Sequence, residues 1–141
     1  RLSTAIEQAA EAIVLTNAAG EIQYVNPAFE LMTGYRREEA LGNNPRFLSS
    51  GRHDNDFYKT LWTALEAGAT WQGQLTNRRK DGSIYTQSTT ISPVCDAAGV
   101  PIGFVGLGRD VTVDVKLEAP GGQTAVFTGL DVDRTHHLVL K

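Results

Sequence analysis

Two strand-like runs on either side of a tight turn constrain this chain more than any other stretch. The first run occupies residues 70–79, the second occupies residues 84–94, and Asp81-Gly82 lies between them. Asp and Gly tolerate the positive φ that short hairpin turns require, so this dipeptide between β-prone runs is a strong hairpin signal. Thr, Tyr, Ile and Trp recur in the runs and favour strands. We therefore predict a long antiparallel hairpin.

One face of this hairpin mixes apolar and polar side chains. Successive strand residues point to opposite faces of a sheet. The face expected to meet the core carries Trp71, Gly73, Leu75, Asn77, Tyr85, Gln87, Thr89 and Ile91. Buried polar groups such as Asn77, Gln87 and Thr89 need hydrogen-bond partners. Those partners could be other protein groups or a bound ligand.

The composition indicates one soluble domain. The 141 residues are 41% hydrophobic and 21% charged, which suits a globular core. No apolar run approaches the roughly 18 residues of a membrane span. A net charge of −3 does not indicate a surface that binds nucleic acid or an anionic membrane. The single cysteine, Cys95, excludes an internal disulfide and fits a reducing compartment, so we expect the cytoplasm.

Strand and helix signals come in blocks along the chain. Further strands are predicted over residues 12–16, 21–25 and 100–108. Helices are predicted over residues 3–11, 27–34 and 36–41, and a longer one runs from Asp54 or Asn55 to Gly68 with Phe57, Leu61, Trp62 and Leu65 as its apolar stripe. Two strands, a helical block and three strands indicate an α+β fold. We predict a five-stranded antiparallel sheet with the short helices and the longer helix packed on one face.

The end of the chain has a different character. Residues 119–122 are Ala-Pro-Gly-Gly, which is typical of a linker. Beyond them, residues 124–128 and 137–140 are strand-like and could form a hairpin. We therefore predict a domain over residues 1–118 and a tail over residues 119–141. The pair His136-His137 is expected to mark a strand edge rather than a metal site.

Several short motifs, met in a fixed order, resemble those of PAS domains. They are Tyr-Val-Asn-Pro-Ala-Phe at 24–29, Met-Thr-Gly-Tyr at 32–35, Glu-Glu-Ala-Leu-Gly at 38–42, Asn-Arg-Arg-Lys-Asp-Gly at 77–82 and Gly-Leu-Gly-Arg-Asp-Val-Thr at 106–112. The resemblance covers about residues 2–118. It implies a sensory module that detects a small ligand or redox state and biases an output domain elsewhere in the parent chain, such as a histidine kinase or a cyclic-dinucleotide enzyme. A ligand-free dimerisation or docking module is the alternative.

Residues 42–48 resemble the flavin-binding motif of LOV photosensors, which are a branch of that family. Pro45 stands where those photosensors carry the cysteine that forms a flavin adduct, so this photochemistry is excluded. Ser49 and Gly108 stand in place of two flavin-edge glutamines, and Gly108 is expected to leave free space there. Asn44 and Arg46 are retained, and the resemblance implies that Arg46 could contact a phosphate.

A further resemblance is to PAS domains that hold FAD non-covalently in bacterial redox or oxygen sensors. It rests on residues 50–53, Trp62, residues 70–73 and residues 77–82. It implies FAD as the leading candidate cofactor, with Trp71 beside the isoalloxazine. The expected cofactor contacts are Asn77, Gln87, Trp71, Arg46, Asn44 and Thr89.

The outward face of the sheet is predicted to join two copies of the chain. Val105 and Leu107 fall on that face among Gln and Thr residues, and an apolar face on a small module usually finds a partner. We therefore expect a homodimer. The charge run of residues 78–80 lies beside the hairpin turn and is expected to be solvated. No Ser-His-Asp or Cys-His constellation is present, so the domain itself is not expected to be an enzyme.

Overall fold

A computed structural model of the protein describes residues 4–112, 114–128, 131 and 132, and 138 and 139. The helices are α1 (Thr4–Glu7), α2 (Pro27–Thr33), α3 (Arg37–Ala40), a 3₁₀ helix (Pro45–Leu48) and α4 (Asn55–Glu66). The strands are β1 (Ala12–Asn17), β2 (Ile22–Val25), β3 (Trp71–Arg78), β4 (Ile84–Cys95), β5 (Pro101–Asp110), β6 (Asp114–Glu118), β7 (Thr124–Thr128), β8 (Asp131–Val132) and β9 (Leu138–Val139). None of the helices in these ranges has the length and apolar character needed to cross a bilayer.

Strands β1 to β5 form one antiparallel sheet in the order β2-β1-β5-β4-β3. The β3–β4 hairpin has the predicted alternation, because Tyr85, Gln87 and Thr89 are buried while their chain neighbours are less so. The helices α2 and α4 pack against β1 and against β3 and β4, respectively. The predicted α+β fold with a five-stranded antiparallel sheet is therefore confirmed.

Strand β5 contains Gly103, Gly106 and Gly108. It pairs along its length with β1 on one side and β4 on the other, so it is the central strand of the sheet. A β-carbon on Gly103 would collide with the main-chain oxygen of Thr16 in β1. Glycine at this position therefore permits a close approach between two strands.

Both edges of the sheet are covered by local structure, which limits uncontrolled strand pairing. At the β2 edge, Ile22 donates its N–H to the Asn43 carbonyl at 2.8 Å and its carbonyl accepts from Gly42 at 2.9 Å. At the β3 edge, the Thr76 N–H donates to His53 Nε2 at 2.9 Å, and the Thr76 carbonyl accepts from the Ser50 hydroxyl at 2.6 Å. The loop before α4 is thereby tied to β3.

The side chain of Asn26 joins the N-terminal segment to β1 and α2. It is fully buried. Its Oδ1 accepts from the N–H groups of Ile13 at 2.8 Å and Phe29 at 3.1 Å, and Phe29 lies in the first turn of α2. Its Nδ2 donates to the carbonyls of Glu11 at 2.9 Å and Ile6 at 3.4 Å. The Asn26 side chain therefore makes four hydrogen bonds that link these segments, and it is also the N-cap of α2.

Arg79 is not the solvated charge that its sequence context predicted. Its guanidinium lies 4.7 Å from the centroid of the Tyr85 ring, and its Nε donates to the Met32 carbonyl at 3.0 Å. One terminal nitrogen lies 2.5 Å from Asp110 Oδ2 at the end of β5. Three elements that are distant in sequence therefore meet at this side chain.

The Asp110 carboxylate makes stability depend on pH. Burial acts to raise the pKa of Asp110, but hydrogen bonds from Thr112 and the charge of Arg79 outweigh it and lower the pKa. A lowered folded-state pKa stabilises the fold above the unfolded value of about 4, and this contribution is lost as pH falls through the folded value. We expect Asp110→Asn to destabilise the protein most at neutral pH and progressively less below about pH 4. Urea unfolding across pH 7 to 2.5 measures this difference. Asp56→Asn, at the exposed start of α4, is the control, and a constant difference for Asp110→Asn across that range would contradict the assignment.

The structure corrects two local expectations. The first helix ends at Glu7 rather than residue 11. Strand β7 pairs with β6, through Val115↔Phe127 and Leu117↔Ala125, while the described residues 138 and 139 of its predicted partner pair with β8. The supposed linker is the turn of this hairpin, because Gly121 and Gly122 adopt the positive φ that closes it. The division after residue 118 falls between β6 and that turn and stays a prediction. The pair His136-His137 lies outside the described residues.

Candidate functional site

A cavity of about 120 Å³ lies between the core face of the sheet and the helices. Most of its wall is apolar: Ala12, Val14, Phe29, Met32, Leu48, Leu61, Trp62, Leu65, Leu75, Ile91 and Phe104. Gly20, Pro45 and residues 106–108 also contribute, and a smaller polar set completes the lining: Thr16, Asn44, Arg46, Tyr58, Asn77, Gln87 and Thr89. An apolar cavity with a few convergent polar groups is the usual form of a small-molecule site. Five of the six predicted contacts line it.

The side chain of Asn77 is buried against this cavity without a hydrogen-bond partner in the described part of the chain. Its exposed fraction is 7%. The β3–β4 pairing places Asn77 opposite Tyr85 of β4. A carboxamide removed from water normally makes hydrogen bonds. The Asn77 amide is therefore available to a polar group in the cavity.

The hydroxyl of Tyr85, across the strand pair from Asn77, is also buried without a hydrogen bond. Burial raises the pKa of Tyr85 to about 12, although the nearby Asn77 amide and Arg79 charge act to lower it. The Asn77 amide is thus close enough to influence the phenol but does not reach hydrogen-bonding geometry with it. The Tyr85 hydroxyl is therefore a fully buried polar atom without a partner, beside the Asn77 amide.

Gln87 and Thr89 form a local pair on β4. Gln87 Nε2 donates to Thr89 Oγ1 at 2.8 Å, and the Thr89 hydroxyl donates to the main-chain carbonyl of Gln87 at 3.4 Å. A β-carbon on Gly108 would lie 2.8 Å from Gln87 Nε2 and 3.6 Å from the Met32 methyl group. The space expected beside Gly108 is therefore filled by these two side chains. That expectation was wrong because it ignored the reach of Gln87 from the neighbouring strand.

Asn44, Pro45 and Arg46 line the cavity from the 3₁₀ helix. Asn44 caps that helix, since its Oδ1 accepts the Arg46 N–H at 2.9 Å. The exposed Arg46 guanidinium lies 4.1 Å from the Tyr58 ring centroid, a cation–π contact. Within the described ranges it has no carboxylate partner, so its charge is available at the rim of the cavity.

Trp71 does not line the cavity, unlike the other predicted contacts. Its ring stands edge-on to Phe57 with centroids 5.7 Å apart, and it covers Gly73. It packs against the cluster of Leu61, Leu65 and Phe104. The aromatic walls of the cavity are instead Trp62 and Tyr58 of α4 and Phe29 and Phe104.

Tyr58 is the cavity residue that the sequence pattern could have revealed. The predicted stripe of α4 began at Phe57, but Tyr58, Leu61 and Leu65 are the buried positions of this helix. With Trp62 they follow the spacing i, i+3, i+4 and i+7 of an inward helix face. Thr16 and Met32 gave no comparable signal.

Comparison with known proteins places the chain in a family. The family model described as the PAS fold matches residues 1–111. A nitrogen fixation regulatory protein of Klebsiella oxytoca is 39% identical over 115 residues, which are 82% of this chain and 23% of that protein. A blue-light photoreceptor of Listeria monocytogenes is 36% identical over 107 residues, which are 74% of this chain and 42% of that protein. The chain therefore spans less than half the length of these relatives.

A solved structure gives the same result. The structure of an RNA-binding light-oxygen-voltage receptor superposes with a TM-score of 0.72 at 32% identity, covering 76% of this chain and 31% of the other. The five-stranded antiparallel sheet with its helices is consistent with the matched PAS fold. The chain belongs to the PAS family and is a sensory module of the kind found in signalling regulators and photoreceptors.

Proposed function

We propose that this domain binds a flavin non-covalently in the cavity, with FAD the leading candidate. The state of the flavin-binding cavity would be the signal that the domain transmits. The observation that carries this proposal is the buried, unpartnered amide of Asn77 facing an apolar cavity. A flavin would supply redox chemistry, while the protein supplies orientation and a tuned potential. Pro45 offers no nucleophile, so the association would be non-covalent.

The residues present fit such a group in their chemistry. The apolar wall suits an aromatic ring system, and Asn77 and Gln87 suit its polar edge. The LOV-like residues 42–48 and the light-oxygen-voltage structural relative support a flavin over other ligands. The cavity is smaller than the roughly 300–1,000 Å³ of typical ligand sites. Entry of a ring system would therefore require Met32, an adaptable side chain, to move.

The rim of the cavity supports a ligand with a phosphate group. Arg46 is exposed there, and the Tyr58 ring holds its guanidinium in place. Guanidinium groups bind phosphate well. Asn44, next to it, would donate from its amide.

The signal would leave through the sheet. Altered hydrogen bonding at Asn77 or Gln87 would change the packing of the β3–β4 hairpin, and the output region would follow as a shift between two arrangements. The parent protein would be a cytoplasmic bacterial signalling protein whose output domain, such as a histidine kinase, lies outside this chain. The match to a regulatory protein of which the matched region makes up only 23% supports that organisation.

Absorbance of the freshly purified protein tests the proposal. We expect flavin bands, retained through gel filtration, or their appearance after reconstitution with FAD. Parallel reconstitution with FMN and riboflavin separates the contributions of the phosphates from those of the ring. A protein that holds none of the three would contradict a flavin function and favour the ligand-free docking module.

We further propose that the outer face of the sheet forms a homodimer. Leu107 is 37% exposed on β5, and Val105 lies two residues before it on the same face. An exposed apolar sheet face commonly marks an interaction surface. We expect Leu107→Lys to convert the dimer to a monomer in sedimentation velocity at high micromolar concentration. The matched control is Leu31→Lys, because Leu31 is exposed on α2. A wild-type monomer, or an unchanged dimer in Leu107→Lys, would contradict this interface.

A further inference from the structure

The loop of residues 49–54, which precedes α4, pairs with the β3 edge of the sheet mainly through side chains. Ser49 forms an isolated antiparallel bridge with Asn77. The Thr76 carbonyl accepts from the Ser50 hydroxyl at 2.6 Å, and the Thr76 N–H donates to His53 Nε2 at 2.9 Å. Two main-chain groups of an edge strand are therefore bonded to a loop rather than to another strand.

The hydrogen bond from Thr76 requires one protonation state of His53. A main-chain N–H can only donate, so Nε2 must keep its lone pair and the proton of the neutral ring must lie on Nδ1. An imidazolium carries N–H groups at both nitrogens and offers no acceptor. Protonation of His53 would therefore set two donors against each other and break the bond to Thr76.

The same loop supports one wall of the cavity. The Ser49 hydroxyl lies 3.3 Å from the Tyr58 hydroxyl, and Tyr58 lines the cavity together with Asn77. The His53 ring stacks on Phe57 with centroids 3.9 Å apart and 14° between the ring planes. A cation over an aromatic face is also attracted, so this stack persists when His53 is protonated. Protonation would thus release β3 while His53 stays at the start of α4.

Charged and titratable side chains of both signs surround His53. Its own loop, α4, β3 and the 3₁₀ helix carry Arg46, Arg52, Asp54, Asp56, Tyr58 and Arg78. The carboxylates favour protonation of His53 and the guanidinium groups oppose it. Asp54 is engaged as the cap of α4, because its Oδ1 accepts the Phe57 N–H at 2.8 Å. With these opposing charges, we expect His53 to change charge within the histidine range of about pH 5 to 8.

We propose that the hydrogen bond between Thr76 and His53 is a proton-sensitive latch, and that acidification is a second input to this domain. The bond accepts only the neutral ring, so its contribution to stability is complete above the ordinary histidine value of about pH 6.5 and is lost as the pH falls. At acidic pH the latch opens, and the loop that supports Tyr58 separates from β3. This response is independent of which ligand occupies the cavity.

Hydrogen exchange of the Thr76 amide in the purified protein, followed by NMR, tests the latch. In the wild type its protection factor should fall by about 3- to 10-fold between pH 8 and pH 5, the effect of one hydrogen bond. His53→Gln retains an acceptor that does not titrate and should keep the high protection at both pH values. His53→Phe retains a ring for Phe57 without an acceptor, and its protection should be low at both.

Two amides of the loop report whether the loop itself is released. Gly51 and Arg52 donate their N–H groups to the hydroxyls of Ser49 and Ser50 at 3.2 and 3.3 Å. Both should lose protection in the wild type over the same pH range as Thr76, and neither should do so in His53→Gln. The other two histidines, His136 and His137, are present in every variant, so their titration cannot produce a difference between variants.

The nitrogen NMR signals of His53 give a measurement that needs no variant. At pH 8 the proton should be on Nδ1, and Nε2 should be unprotonated. A proton on Nε2 at pH 8 would overturn the latch, as would equal Thr76 protection at pH 8 and pH 5 or an equally large fall in His53→Gln. Loss of protection at Thr76 alone, with Gly51 and Arg52 unchanged, would overturn release of the loop. A role of His53 in stability alone would make His53→Phe less stable without any pH-dependent change at Thr76 in the wild type.

Discussion

Asn26→Ala is expected to lower the free energy of unfolding by about 3–5 kcal/mol, since it leaves buried main-chain groups without partners. The amide of Asn26 accepts from Ile13 and Phe29 and donates to the carbonyls of Glu11 and Ile6. Each buried polar group that loses its partner costs about 1–3 kcal/mol. The Ile13 N–H cannot turn elsewhere because it belongs to β1, whereas the Phe29 N–H also reaches the main-chain carbonyl of Asn26 at 3.1 Å. Equilibrium urea unfolding measures the change.

The same experiment separates this role from an ordinary surface effect. Asn55→Ala, at the exposed start of α4, makes the same chemical change and should alter the free energy of unfolding by less than about 0.5 kcal/mol. Hydrogen exchange should locate the loss of protection in Asn26→Ala at β1 and α2. A loss below about 1 kcal/mol would mean that water replaces the amide and that Asn26 is only a helix cap.

The sheet was predictable because its signals are local. The Asp81-Gly82 turn fixes the register of the hairpin, and the two-residue period then assigns every side chain of β3 and β4 to a face. The same reasoning failed for the tail, because β7 had two strand-like neighbours and its sequence did not say which would pair. The turn glycines at 121 and 122 bring β6 close along the chain, and short connections are favoured.

The cavity was predictable only in part. Strand period correctly placed Asn77, Gln87 and Thr89 on the core face, and all three line the cavity. It could not distinguish cavity from solid packing on that face. The resemblance to FAD-binding PAS domains placed Trp71 at the ligand, but Trp71 packs on Gly73 and Phe57. It also could not show that Gln87 reaches the space above Gly108, since that depends on side-chain length and register across two strands. Side-chain contacts between different strands and helices can be predicted only once the folded geometry is known.

Asn77→Ala is expected to weaken flavin binding by about 1–3 kcal/mol, or about 5- to 150-fold in Kd, through loss of a buried hydrogen bond. The flavin-free protein should not lose stability, because the Asn77 amide has no partner in the described part of the structure whose loss would cost energy. Fluorescence titration with FAD gives the affinity, and thermal unfolding of the flavin-free protein gives the stability.

The two measurements on Asn77→Ala must be read together. Replacing a residue that serves only the fold would lower the melting temperature and leave the affinity for FAD unchanged. Replacing a ligand contact would weaken FAD binding and leave the melting temperature unchanged. Gln72→Ala, on the exposed face of the same strand, controls for the loss of an amide from β3 and should change neither quantity. If Asn77→Ala lowers the melting temperature while FAD binds as before, its amide is satisfied within the protein. The polar end of the cavity would then be part of the core, and the flavin would have to be recognised through Gln87 and the rim at Arg46 alone.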